Sequence, residues 1–129
     1  MTALIEWHHH AGAMHPVKRA AILHTRFEMI HPFVDGNGRV GRLLMNMVLM
    51  KQGYPPAIIR EEDRFAYYDA IEEACINNNY SKIISIVAKS LQKSINAHSR
   101  LLSLLTFNRT SNKVIIRDDI CSSEAGIFG

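Results

Sequence analysis

The chain has 129 residues, 47% of them hydrophobic, which is enough for one small packed domain and too apolar for a disordered class. Fifteen basic and twelve acidic residues leave a net charge of +3 with no block of one sign, so nucleic-acid binding and a polybasic membrane anchor gain little support. Two distant cysteines, Cys75 and Cys121, have no metal-ligand spacing, and no apolar run is long enough for a signal peptide or a bilayer span; a cytoplasmic protein with free thiols is expected.

The elements read as almost entirely helical. Thr2 to His10 forms a short helix, stopped by Ala11 and Gly12. Pro16 suits a first helical position, and a second helix runs from about Val17 to Ile30. Its expected buried face is Val17, Ala20, Ala21, Phe27 and Ile30. Pro32 ends it, which leaves His31 where helix gives way to loop. A third helix spans roughly Asn37 to Gln52. Val40, Leu43, Leu44, Met47 and Val48 recur at helical spacing, and Met45, Leu49 and Met50 make the other faces apolar too, as in a central buried helix. Gly53 and the Tyr54-Pro55-Pro56 run stop it. A fourth helix covers about Glu62 to Asn77, with acids in its first turn, and Asn77 to Asn79 break the chain. Ser81 is suited to cap a fifth helix reaching about Leu105. The reading is one all-α helical core over 1–105 and a tail over 106–129, in which Lys113 to Arg117 alternate weakly as a short strand would.

One segment concentrates the chemistry: His31-Pro-Phe-Val-Asp35-Gly-Asn-Gly-Arg39-Val-Gly-Arg42. Gly36, Asn37 and Gly38 sit at a helix start, where backbone N–H groups are unpaired and the helix dipole favours an anion. Glycine lets a phosphate approach the backbone, and Asn37 can add an amide donor. Arg39 and Arg42, three apart, are neighbours on one helix face and present two guanidinium forks suited to a polyphosphate. Asp35 beside an anion site calls for a cation between them, and Mg²⁺ takes one or two carboxylates plus phosphate oxygens. His31 can serve as a base near neutral pH. Phe33 is expected to bury itself and hold the loop, leaving His31 and Asp35 exposed.

The segment resembles the signature of the Fic (filamentation induced by cyclic AMP) family, His-Pro-Phe-x-Asp/Glu-Gly-Asn-Gly-Arg-x-x-Arg, at every specified position. The likeness extends outward through His15 to Ile30, Leu43 to Asn46, Gly53 to Pro56, and the tyrosine pair Tyr67 and Tyr68, covering residues 1 to about 95. It implies a compact Fic/Doc-type bundle around a buried central helix that follows the motif loop. It further implies transfer of AMP from ATP to a Ser, Thr or Tyr hydroxyl of a protein, with release of pyrophosphate. His31 would be the base, Asp35 would hold Mg²⁺, and Gly36, Asn37 and Gly38 would form the anion hole. Arg39 and Arg42 would hold phosphate toward the leaving group, with Val40 and Gly41 in the same ATP-binding segment and Tyr67 and Tyr68 against the nucleotide. Gly36 and Gly38 favour nucleotide transfer over the phosphate transfer of Doc-type relatives, whose loop is bulkier.

Three departures accompany the resemblance. Thirty residues precede His31, so the helices and β-hairpin flap that precede the motif in the family are expected to be missing. The autoinhibitory Ser/Thr-x-x-x-Glu-Gly/Asn pattern is not found; Glu124 has Ile120 four residues before it. Cys75 stands where members often carry an asparagine on the adenine side. Two alternatives stay open: removal of AMP from a modified protein, and a non-catalytic nucleotide-binding or interaction fragment. Self-modification and a separate inhibitor protein are further possibilities.

Outside the motif, His8, His9 and His10 point in different directions on a helix and make poor metal geometry. Trp7 is expected to pack on the second helix, His24 to be a hydrogen-bonded core histidine, and Met29, Met45, Met47 and Met50 to fill the core.

Overall fold

The computed structural model describes residues 1–109, with side chains through Thr106. The Lys113 to Arg117 segment, Cys121 and Glu124 lie outside the described residues. Five helices follow one another: α1 (Thr2–His10), α2 (Pro16–Ile30), α3 (Asn37–Lys51), α4 (Arg64–Asn77) and α5 (Ser81–Arg109). Short 3₁₀ turns at Ala11–Ala13 and Glu61–Asp63 join them. The fold is all-α, as expected, and no strand occurs among the described residues. Nor is any helix among them long and apolar enough to cross a membrane. The chain divides within α5 into two compact units, one ending at Gln92 and the other beginning at Lys93.

The first unit is organised on α2, which packs against α1, α3 and α4. His15 caps it through a ring nitrogen that accepts from Val17 N at 3.2 Å, and Pro16 occupies its first turn. Eight of its fifteen residues are buried, from Val17 to Phe27, because small Ala20 and Ala21 let neighbouring helices close in. Ile30, expected inside, is 41% exposed at the helix end. On α1, Trp7 meets α2 as expected, with the Arg26 guanidinium 4.6 Å from its ring centroid.

Burial on α3 differs from the expected all-round pattern. Gly41, Met45, Val48 and Leu49 face inward, while Leu43 is 66% exposed and Met47 and Met50 are about half exposed. The stripe read through Val40, Leu43 and Met47 is therefore not the buried face, and of the four methionines expected in the core only Met45 is enclosed. After α3, Gly53 adopts φ 86°, and Asn46 accepts from Ala57 N at 2.8 Å, tying the following extended segment back to the helix. Ser81 opens α5 without capping it; its N–H is taken by the Asn79 side chain. Ile83, Val87 and Leu91 form the buried face of α5 within this unit. In the second unit, Leu101, Leu102, Leu104 and Leu105 are exposed.

His24 is a core histidine, wholly buried, with Nε2 2.6 Å from the Tyr67 hydroxyl of α4 and the two rings stacked. Burial lowers its pKa from 6.5 to about 4, and the Gly41 backbone offsets this only in part. The ring is thus neutral in the fold at neutral pH. As pH falls from 6.5 toward 4, the unfolded chain binds a proton that the folded chain refuses, so stability is lost across that window. Glu28 runs the other way: burial raises its pKa, so it favours the fold below 4.5 and loses that contribution as pH rises through the folded value. From pH 7 to 4.5 the His24 effect is expected to remove on the order of 2–3 kcal/mol. Urea unfolding of wild type and His24→Gln checks this; the variant should show a flatter profile across the same range.

Candidate active site

The geometry of the motif starts from how α2 stops. His31 closes the helix in the left-handed region, at φ 50° and ψ 56°, with its N–H on Phe27 O at 3.1 Å. For a non-glycine residue this conformation costs roughly 1–2 kcal/mol, and the residue that adopts it is exposed. Pro32, which has no N–H, then makes continuation impossible.

The loop is held by Asn37 rather than by burial of Phe33. Asn37 Oδ1 accepts from Phe33 N at 2.9 Å and its Nδ2 donates to Phe33 O at 2.7 Å. The amide thus mimics a strand partner for one residue, and it is 3% exposed. Phe33 itself is half exposed, tilted against Phe27 with centroids 6.3 Å apart. The side-chain donor expected of Asn37 is therefore spent inside the loop, which leaves its backbone N–H, the first of α3, without an intrahelical partner.

Gly36, at φ 84°, is the N-cap of α3 and offers no side-chain cap. The first N–H groups of α3 consequently have nothing from a capping side chain in front of them. Both glycines lie under guanidinium groups. A Cβ at Gly36 would stand 3.3 Å from Arg39 Nη2, and one at Gly38 would stand 3.3 Å from Arg42 Nη1. Arg39 also reaches Asp35 at 3.2 Å, an ion pair so exposed that it opens at little cost.

These parts converge on one pocket of about 460 Å³, lined by His31, Val34, Asp35, Gly36, Asn37, Gly38, Arg39, Arg42 and Tyr68. Val40 and Gly41 do not line it. Gly41 instead lies at the crossing of α2 and α3, where a Cβ would meet Glu28 Oε1 at 2.6 Å and His24 Nδ1 at 2.7 Å. The tyrosine pair is divided by helical rotation: Tyr68 is on the pocket wall, while Tyr67 is buried against His24 with the Arg42 guanidinium at its hydroxyl. Burial raises the Tyr67 pKa, and Arg42 counters part of the rise. Cys75 is exposed on α4, its thiol pushed up first by burial and then by Glu28.

Glu28 is among the residues that no sequence motif marks. Glu28, one turn before His31, carries a raised pKa from burial, opposed by His31 and Arg42, and its Oε1 is buried without a hydrogen-bond partner. An acid set among Phe27, Met29 and Ile30 at the end of α2 is the available signal. No group of three His, Cys, Asp or Glu side chains among the described residues is close enough to hold a metal by itself. Mg²⁺ in general does not require such a group, because it commonly draws its remaining oxygens from phosphate and water.

The family resemblance is matched by comparison with known proteins. The Fic/DOC family profile matches residues 1–49. Protein adenylyltransferase Fic of Nematostella vectensis is 44% identical over 85 residues, 66% of this chain and 20% of that protein. The Drosophila melanogaster protein of the same name is 52% identical over 65 residues, 50% of this chain and 13% of its own length. Among solved structures, Fic-1 from C. elegans superposes with a TM-score of 0.70 at 35% identity, over 74% of this chain and 29% of that one. A Fic-domain signaling protein from Bacteroides thetaiotaomicron gives 0.66 at 34% identity, over 75% of this chain and 44% of that one. The chain thus spans a fifth or less of the curated relatives named here. Sequence motif, helical fold and neighbours agree that the chain belongs to the Fic/DOC family.

Proposed function

We propose that the chain carries the phosphate-binding and base-bearing part of a protein adenylyltransferase, which moves AMP from ATP to a protein hydroxyl. The observation that carries this reading is the single pocket shared by His31, Asp35, the uncapped start of α3, Arg39, Arg42 and Tyr68. In the proposed step the hydroxyl oxygen of a Ser, Thr or Tyr bonds to the α-phosphorus. Its proton passes to the His31 imidazole, and the bond from the α-phosphorus to the bridging oxygen breaks in line, so that pyrophosphate leaves with the electron pair. Backbone N–H groups of Gly36, Asn37 and Gly38 receive the charge that grows on phosphate oxygens, and fixed donors need no reorganisation as it grows. Arg39 and Arg42 face the leaving group, and the Tyr68 ring offers a face to the nucleoside side.

The residues fit a magnesium ion. Asp35 projects its carboxylate into solvent at the pocket and would exchange its exposed Arg39 partner for the cation. Bound there, Mg²⁺ would neutralise phosphate charge and orient the triphosphate. Asp35→Asn is accordingly expected to reduce transfer by on the order of 10²-fold and to flatten its dependence on Mg²⁺ concentration. Initial rates over a magnesium titration measure both.

Position of the label tests the reaction class. With Mg²⁺ and ATP labelled at the α-phosphate, label should enter a hydroxyl-bearing protein, or the chain itself if self-modification occurs. ATP labelled at the γ-phosphate should give none. Incorporation of the γ label instead would move the chain to phosphate transfer and end this reading.

A further inference from the structure

A second pocket, of about 180 Å³, opens on the far side of Arg42 and Tyr68, which line both cavities. Its other walls are Ile59, Arg60, Arg64 and Tyr67. Three guanidinium groups thus surround a space with a single acid, Glu61, whose carboxylate is already taken by Arg64 at 2.9 Å. Two of the three cations have a neighbouring partner. Arg64, more than half exposed, lies beside the Tyr68 hydroxyl and Glu61, which raise its pKa in that order. Arg42 stands at the Tyr67 hydroxyl, which the buried His24 fixes from behind at 2.6 Å. Such a net-positive, small, polar recess suits an oxyanion and not a purine ring, which would want apolar walls.

We infer that this recess is a distal phosphate subsite, which takes the terminal phosphate of the bound nucleotide or the pyrophosphate released from it. The inference rests on the reading that the nucleotide phosphates lie at the start of α3. Arg42 then becomes the joint between the two cavities: one edge faces the α3 side, and Arg60 and Arg64 receive the end of the phosphate chain. Neither Arg60 nor Arg64 belongs to the twelve-residue motif. They reach the site because Asn46 ties the segment after α3 back against the helix and the 3₁₀ turn at Glu61–Asp63 starts α4 there.

The test is calorimetric titration of AMP, ADP, ATP and pyrophosphate, each with Mg²⁺, into the 129-residue chain and its Arg60→Ala/Arg64→Ala variant, with circular dichroism melting to establish folding. For wild type, ATP is expected to bind about tenfold or more tighter than ADP, as an added charge-assisted contact implies. The double variant should bring that ratio near one, weaken pyrophosphate, and leave AMP unchanged. A terminal-phosphate site loses the ATP-to-ADP ratio, whereas a site for released pyrophosphate alone loses only pyrophosphate affinity. An unchanged ratio together with unchanged pyrophosphate binding overturns the subsite while leaving the α3 reading intact. Equal weakening of all four ligands also overturns it, by making the arginines merely structural. Absence of any nucleotide binding in wild type defeats the α3 reading; the pyrophosphate arm then still decides the subsite, which fails if wild type does not bind it.

Discussion

Replacing His31 by alanine is expected to lower AMP transfer by on the order of 10²–10⁴-fold while nucleotide affinity changes little. The expectation follows from position. The imidazole lines the pocket, exposed, on a residue held at φ 50° by the end of α2, whereas the groups proposed to meet phosphate belong to the α3 side. A base that only accepts the hydroxyl proton contributes to the transition state and not to ground-state binding, so kcat falls and KM for ATP stays. Rates with α-labelled ATP, set beside binding of Mg·ATP to the same variant, separate the two. Equal transfer by His31→Ala would remove His31 as the base. A parallel loss of rate and affinity would recast it as a binding residue.

Gly41→Val is expected to be the most damaging single change to stability, at about 3 kcal/mol, with a fall in Tm of more than about 10 °C. Glu28 Oε1 is the end of a flexible side chain and can swing away. His24 cannot, because its ring is buried and anchored to Tyr67 on a third helix. Added bulk at Gly41 must therefore part α2 from α3 or break the His24–Tyr67 bond. Either change would also loosen Arg42, whose guanidinium stands at the Tyr67 hydroxyl. Thermal melts of Gly41→Val and Gly41→Ala test this. Alanine should cost less, because its own gain in helix propensity offsets part of the contact. A valine variant as stable as wild type would show that the crossing has room that the structure does not.

Much of the fold is legible in the sequence for local reasons. Helix ends are marked by residues whose backbone chemistry is self-contained: Pro16, Pro32, Gly53 and the asparagines before α5. The motif is legible because phosphate binding needs glycine, arginine and a helix start in close order. What the sequence hides is whatever depends on distant partners. In α3 nearly every position from Leu43 to Met50 is apolar, so periodicity cannot choose the buried face. The choice is made by Gly41, which carries no hydropathy signal and is recognised only when α2 lies against it. The contrast between Tyr67 and Tyr68 likewise depends on a histidine 43 residues away. Hydrophobicity marks Phe33 as the loop's anchor, but an amide that closes two backbone hydrogen bonds on one residue holds the loop instead, leaving the ring half exposed. Glu28 and the arginines of the second pocket lie outside any motif and come together only in the fold.

The central claim is that the start of α3, with Arg42 beside it, holds the phosphates of a nucleotide. Calorimetric titration of Mg·ATP into the chain and its Arg42→Ala variant tests it most directly. Saturable binding by the wild type, weakened by at least about tenfold in a variant that melts normally, is the predicted result. Absence of binding by the folded wild type, or undiminished affinity in Arg42→Ala, would contradict it.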